Sequence, residues 1–224
     1  MLKTIFENFE SLDSRSLGVF SACCCEHGYP TFEYFMSILG QSDKVQTVRR
    51  VLDLTWEYYA ENSPVFEELK RFEEEVAEIM TMDDQDEYIN SDNNRPYLWL
   101  LAGYPLNFQI AIGSMLFHIS IREGKVSDNR PFGLYSGCEI VRSLVDACAV
   151  RLRLTGLTPS NSPSDDQIAQ GVPFPGYEEC MEEYSAQKHI LEDLHSFGIR
   201  DLNQIKNEAK NRGLILVDRF RSII

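Results

Sequence analysis

Between Arg95 and Arg122 the chain carries no Asp, Glu, Lys or Arg. The stretch Pro96–Ile121, PYLWLLAGYPLNFQIAIGSMLFHISI, is the most apolar in the sequence and must be withdrawn from water. About 20 apolar residues suffice to cross a bilayer, so length alone does not decide between a membrane and a protein core. Three features favour a core. Gly103-Tyr104-Pro105 is expected to break the segment, because proline lacks the backbone donor that a helix interior needs. Asn107, Gln109, Ser114, His118 and Ser120 add polar groups. Neither flank has the basic cluster that orients a span.

After that break, Leu106–Glu123 reads as one long helix. Leu106, Ile110, Gly113, Phe117 and Ile121 form one face, and Phe108, Ile112, Met115 and Ile119 form a second. A helix apolar on two faces is packed on both sides. We therefore expect the hub of a soluble helical bundle, in which a charge at Ile112 or Phe117 unfolds the protein.

The rest of the chain supplies helices to surround this hub. Leu2–Leu12 is amphipathic, and Ser14 or Ser16 is placed to cap a helix over Ser16–His27. Gly28-Tyr29-Pro30 is expected to end that helix, and Thr31 to start another that stops at Gly40. Ser42–Glu61 has the clearest helical periodicity, and Ser63-Pro64 is placed to start a helix running to Met80. Met82–Arg95 and Gly124–Pro131 read as loops, Phe132–Thr155 as a helix closed by Gly156, and Thr158–Pro175 as a long surface loop. Helices follow over Gly176–Ser196 and Ile199–Asn211. Gly213 is expected to end the last of these, leaving Leu214–Ile224 as an extended, β-prone tail. No repeat or alternating strand pattern is present. The expected fold is one all-α domain over residues 1–224, a bundle of about eight helices around a buried central one.

The formal net charge is −14, which repels nucleic-acid phosphates and anionic membranes and attracts basic proteins. The charge is concentrated. Glu67, Glu68, Glu73, Glu74, Glu75, Glu78, Asp83, Asp84, Asp86 and Glu87 face only Lys70 and Arg71 within the same run. Read as function, this is a docking surface for a basic partner. Glu178, Glu179, Glu182 and Glu183 form a second acidic cluster, and the alternative to docking is a solvated face and an acidic loop. Six cysteines lack the loop spacing of a disulfide scaffold and fit a reducing compartment. MLKTIFENFESLDSR has no apolar core of the signal-peptide kind, so a cytoplasmic location is expected.

Candidate chemistry is sparse. Cys23, Cys24 and Cys25 are consecutive, and helical residues about 100° apart cannot converge on one ion, so packing is their expected role. Glu192 and His195 make one E-x-x-H, with His189 a turn or so earlier; a di-iron bundle needs two such motifs and further glutamates. Asp53 and Glu57 share a helical face with Arg49 and Arg50 one turn before Asp53, an arrangement that favours local ion pairing. No hydrolase elbow, phosphate loop or dinucleotide fingerprint occurs.

Within Gly18–Glu57, Phe20, Ala22-Cys23, Cys25-Glu26, Tyr29-Pro30, Arg49-Arg50-Val51-Leu52-Asp53-Leu54 and Trp56-Glu57 resemble the amino-terminal signature of the YjaG-like family of bacterial helical proteins. Gly103-Tyr104-Pro105 before a long helix also resembles it. The resemblance implies an all-helical cytoplasmic protein and no particular reaction. It leaves Arg49, Arg50, Asp53, Trp56 and Glu57 as either a site or a core. The expected function is a non-catalytic protein-binding module. Its sharpest form is an acidic immunity-type protein that covers a basic toxin domain, with no cofactor, metal, nucleic acid or membrane. The alternative is a metal-binding helical-bundle enzyme using Asp53, Glu57, His189, Glu192 and His195. A homo-oligomer joined through Leu214–Ile224 is a third expectation.

Overall fold

The computed structural model describes residues 12–61, 65–81, 97–127, 132–157 and 162–222. Among them are eight α-helices and no strand, so the all-α expectation holds. The helices are α1 (Ser14–Ile38), α2 (Val45–Glu61), α3 (Phe66–Ala77), α4 (Leu98–Arg122), α5 (Phe132–Leu154), α6 (Asp165–Ala169), α7 (Glu178–Phe197) and α8 (Leu202–Arg221). A 3-10 turn over Ser42–Lys44 leads into α2. The expected Leu2–Leu12 helix and Met82–Arg95 loop, and the helix start at Ser63-Pro64, fall almost wholly outside the described residues.

The apolar stretch does lie in the interior. Leu101, Ala102, Tyr104, Phe108, Ile112 and Met115 of α4 are fully buried. α4 is the one described helix long and apolar enough to cross a membrane, and 56% of its most apolar window is buried within the protein. It shares the centre with α1, however. Helix α1 is packed by α2, α4, α5, α7 and α8, and Phe20, Cys23, Cys24, Cys25, Phe32 and Met36 are all buried. Surrounded on every side, α1 needs no polar face, which is why three consecutive cysteines can all point into packed protein.

Both Gly-Tyr-Pro motifs sit inside unbroken helices, contrary to the sequence expectation: Pro30 lies within α1 and Pro105 within α4. The glycines permit a helix crossing. A Cβ on Gly28 would lie 2.8 Å from both Ile140 and Phe108, and one on Gly103 would lie 2.6 Å from the Asp146 carboxylate. The tyrosine secures the crossing, since the Tyr104 hydroxyl donates to the Gly28 carbonyl at 3.0 Å. Phe32 and Phe108 stack beside it, 4.7 Å apart. Close packing here outweighs the local cost of an interior proline.

The carboxyl-terminal expectation is corrected in the same way. Gly213 does not end a helix, and Leu214–Arg221 is not extended: α8 runs through both. A Cβ on Gly213 would lie 2.4 Å from the His27 carbonyl, so glycine lets α8 lie directly on α1. Leu216, Val217 and Phe220 are buried by that contact, and Leu214 and Ile215 are exposed. Other ends follow ordinary signals. Asp13, rather than Ser14 or Ser16, caps α1 by accepting from the Arg15 and Ser16 amides. Gly40 and Gly156 follow α1 and α5 with φ of 75° and 76°. The expected loop Thr158–Pro175 contains α6, started by a Ser164–Gln167 capping box.

Candidate functional site

The matched motif residues near the amino terminus converge on one ion network. Glu26 of α1 is 1% exposed. Arg49 of α2 donates to both its oxygens at 2.8 Å, and the Trp56 indole donates to Oε2 at 3.1 Å. Arg49 also reaches Asp53 at 2.9 Å and lies over the Tyr29 ring, 4.9 Å from its centroid. Lys206 of α8 closes the network on Asp53 at 3.0 Å. Burial pushes the Asp53 carboxyl up, but the hydrogen bonds from Lys206 and Arg49 outweigh it and hold the pKa below the ordinary value. Thus Glu26, Tyr29, Arg49, Asp53 and Trp56 tie α1, α2 and α8 together. Arg50 and Glu57 stand apart on the surface, where Arg50 pairs with Glu68 at 2.7 Å. Every strong donor in the network is spent on a partner, which makes it a structural joint.

The remaining candidate chemistry does not assemble. The His189 imidazole is bonded to its own helix at the Ser185 carbonyl, and Glu192 pairs with Lys188. Among the described residues no three His, Cys, Asp or Glu side chains are grouped to hold a metal. All six cysteines are free thiols and buried, and desolvation pushes Cys23, Cys24 and Cys25 up, away from the reactive thiolate.

Only half of the second acidic cluster, Glu178 and Glu182, is solvated. Glu179 and Glu183 are 4% and 3% exposed. Arg151 of α5 pairs with Glu179, and His27 of α1 pairs with Glu183. Gln187 also donates to Glu183, at 2.6 Å. Burial raises the Glu183 carboxyl, yet the facing His27, Gln187 and Arg212 bring it below its ordinary value. The partners come from helices distant in the chain, so spacing along α7 could not announce them.

The first acidic run behaves differently. Asp83, Asp84, Asp86 and Glu87 lie outside the described residues. On α3, Glu68 is tied to Arg50 and Glu73 accepts from Ser120 at 3.0 Å. Glu67, Glu74, Glu75 and Glu78 are exposed, and no described residue neutralises them. Beside them, between α3 and α4, runs a groove of about 320 Å³. Val76, Ala77, Ile110, Gly113 and Phe117 line it, with Glu73 at its edge. This is the face of α4 expected to be packed. Ile110 is 47% exposed, and Phe117 rests only partly covered against Phe132, 4.5 Å away. Sequence periodicity located the stripe but not its openness.

No curated protein and no solved structure matches the chain. Residues 4–92, which include α1, α2, α3 and the Glu26–Arg49–Trp56 joint, are similar to a family described as a protein of unknown function (DUF416).

Proposed function

We propose that the protein is a non-catalytic binding module that docks a basic segment of a partner protein on the groove between α3 and α4. The observation that carries this reading is the juxtaposition of an open apolar stripe with unneutralised acids. Ile110 and Phe117 offer a hydrophobic floor, Glu73 lines the same groove, and the exposed Glu74 and Glu78 follow it in the chain. An amphipathic helix with a basic edge is complementary to both. The net charge of −14 adds long-range attraction, which raises encounter rates more than final affinity. In its sharpest form the module is a cytoplasmic immunity-type protein that covers a basic toxin domain. The amino-terminal motif order supports placing the chain with the YjaG-like bacterial proteins as part of the same reading.

The test uses a synthetic amphipathic helix bearing lysines along one edge of a leucine face, followed by fluorescence anisotropy. The expected Kd lies in the micromolar range and rises about tenfold in Ile110→Asp, and again in Glu74→Lys/Glu78→Lys. Raised salt is expected to weaken the wild type and leave the charge-reversed variant nearly unchanged. Binding that survives both substitutions would remove the groove from consideration.

A further inference from the structure

Two cavities adjoin between α7 and α8. The smaller, about 150 Å³, is lined by His27, Glu179, Glu182, Glu183, Arg212 and Arg219. The larger, about 360 Å³, has an apolar wall of Ile190, Leu194, Phe197 and Ile205. Arg212 lines both, and neither shares a residue with the α3–α4 groove.

The charges around the smaller cavity are already matched, with one exception. Glu179 is held by Arg151, Glu182 by Arg219 at 2.8 Å, and Glu183 by His27. In the larger cavity Asp201 caps α8, Glu208 accepts from Gln204 at 2.9 Å, and Asp193 is exposed to solvent. Arg212, which stands where the cavities meet, has no ion pair or hydrogen bond among the described residues, and Arg200 in the larger cavity is held only against the Phe197 ring. The His27 ring is held by Glu183 at Nδ1, and His27 lines the smaller cavity. Phe197 is 59% exposed and stacks under Arg200 at 4.0 Å, an aromatic wall at the mouth of the larger space. A cavity of this size with an apolar wall and a few convergent polar groups is what a small ligand requires.

We propose that the paired cavities bind a small organic oxyanion with an apolar body. The Arg212 guanidinium, whose donors no hydrogen bond holds, takes the oxyanion in its forked donor geometry. His27 meets that group from the smaller cavity, and the body lies against Phe197, Ile205 and Leu194. The His27–Glu183 pair is what holds the imidazole at the ligand, in the manner of a carboxylate orienting a histidine.

Phenyl phosphate and benzoate are suitable probes, with benzyl alcohol as a neutral control, followed by calorimetry and by the ring resonances of His27 and Phe197. The oxyanions are expected to bind about tenfold more tightly than the alcohol and to shift both rings. Arg212→Gln, an exposed position whose replacement leaves helicity unchanged by circular dichroism, is expected to weaken both oxyanions about tenfold and the alcohol hardly at all. Phe197→Ala is expected to weaken all three probes. Absence of binding by both oxyanions up to about 10 mM, or an Arg212→Gln variant that binds them as well as wild type, overturns the proposal.

Discussion

Replacing Arg49 with methionine tests the central joint. The substitution keeps most of the side-chain volume, so little cavity is created and the effect reports on charge. It deletes two 2.8 Å donors to Glu26 and the 2.9 Å donor to Asp53. Asp53 retains Lys206 and is partly exposed, so its loss is small. Glu26 retains only the Trp56 indole, in a site where it is 1% exposed. Removing one partner of a buried pair costs about 3–5 kcal/mol, because the other charge is left without compensation. For a chain of this size each kcal/mol lowers Tm by about 2–4 °C, which predicts a fall of roughly 6–20 °C. Urea unfolding followed by tryptophan fluorescence and by far-UV circular dichroism measures the same loss and tests whether the transition is two-state. Glu26→Gln supplies the decisive second variant. It removes the stranded charge and still accepts from Trp56, so in the double variant the two losses are expected to fall short of additivity by about 2 kcal/mol. The reasoning is refuted if Arg49→Met costs less than about 1 kcal/mol, or if the pair is additive within about 0.5 kcal/mol.

Two further outcomes follow from burial. Ile112→Glu places an unpaired carboxylate at a fully buried point of α4 and is expected to abolish cooperative folding, a loss above about 4 kcal/mol. Phe117→Glu, at the open groove, is expected to leave a folded helical protein with a loss of about 1–2 kcal/mol; equal collapse of both by circular dichroism would mean the groove is closed. Desolvation pushes the Asp146 carboxyl up to about 7, against the Asn107 amide donated at 2.9 Å. Its folded pKa exceeds the unfolded value of 3.8, so the folded state holds the proton longer and stability is lost as pH rises from about 4 to 7. Asp146→Asn is expected to gain on wild type across that window, by on the order of 2 kcal/mol at pH 8, in urea melts. A wild type–variant difference that does not change with pH would contradict this.

Periodicity within single helices was legible. The bounds expected for α2 and α5 fall close to the observed Val45–Glu61 and Phe132–Leu154, because each has one apolar face and an ordinary end. What failed was every inference that let a local signal stand for a tertiary one. Gly28, Gly103 and Gly213 look like helix terminators, but each fits another chain segment closer than a Cβ allows. Glu179 and Glu183 look like surface acids, because their partners lie on α5 and α1. The stripe from Leu106 to Phe117 looks like core, since apolarity alone does not say that Ile110 is left exposed. The acids of α3 were found as a run in the sequence. The apolar floor beside them, and the meeting of His27 with Arg212, needed the fold.

The charge distribution then separates architecture from surface. Glu26, Glu179 and Glu183 are each buried, and each is met by a basic side chain from a different helix. Such pairs contribute little net stability over an apolar substitute, but they penalise any register in which a partner is missing. They therefore set α1 against α2, α5 against α7, and α7 against α1, and that registry is what brings Arg212 over the His27–Glu183 pair. Charges spent in this way are unavailable for binding. Among the exposed charges left over in the described residues are Glu67, Glu74, Glu75 and Glu78 on or just after α3, and Arg212 at the two adjoining cavities. The exposed acids of α3 and the Arg212 guanidinium therefore remain available to meet a group of opposite charge.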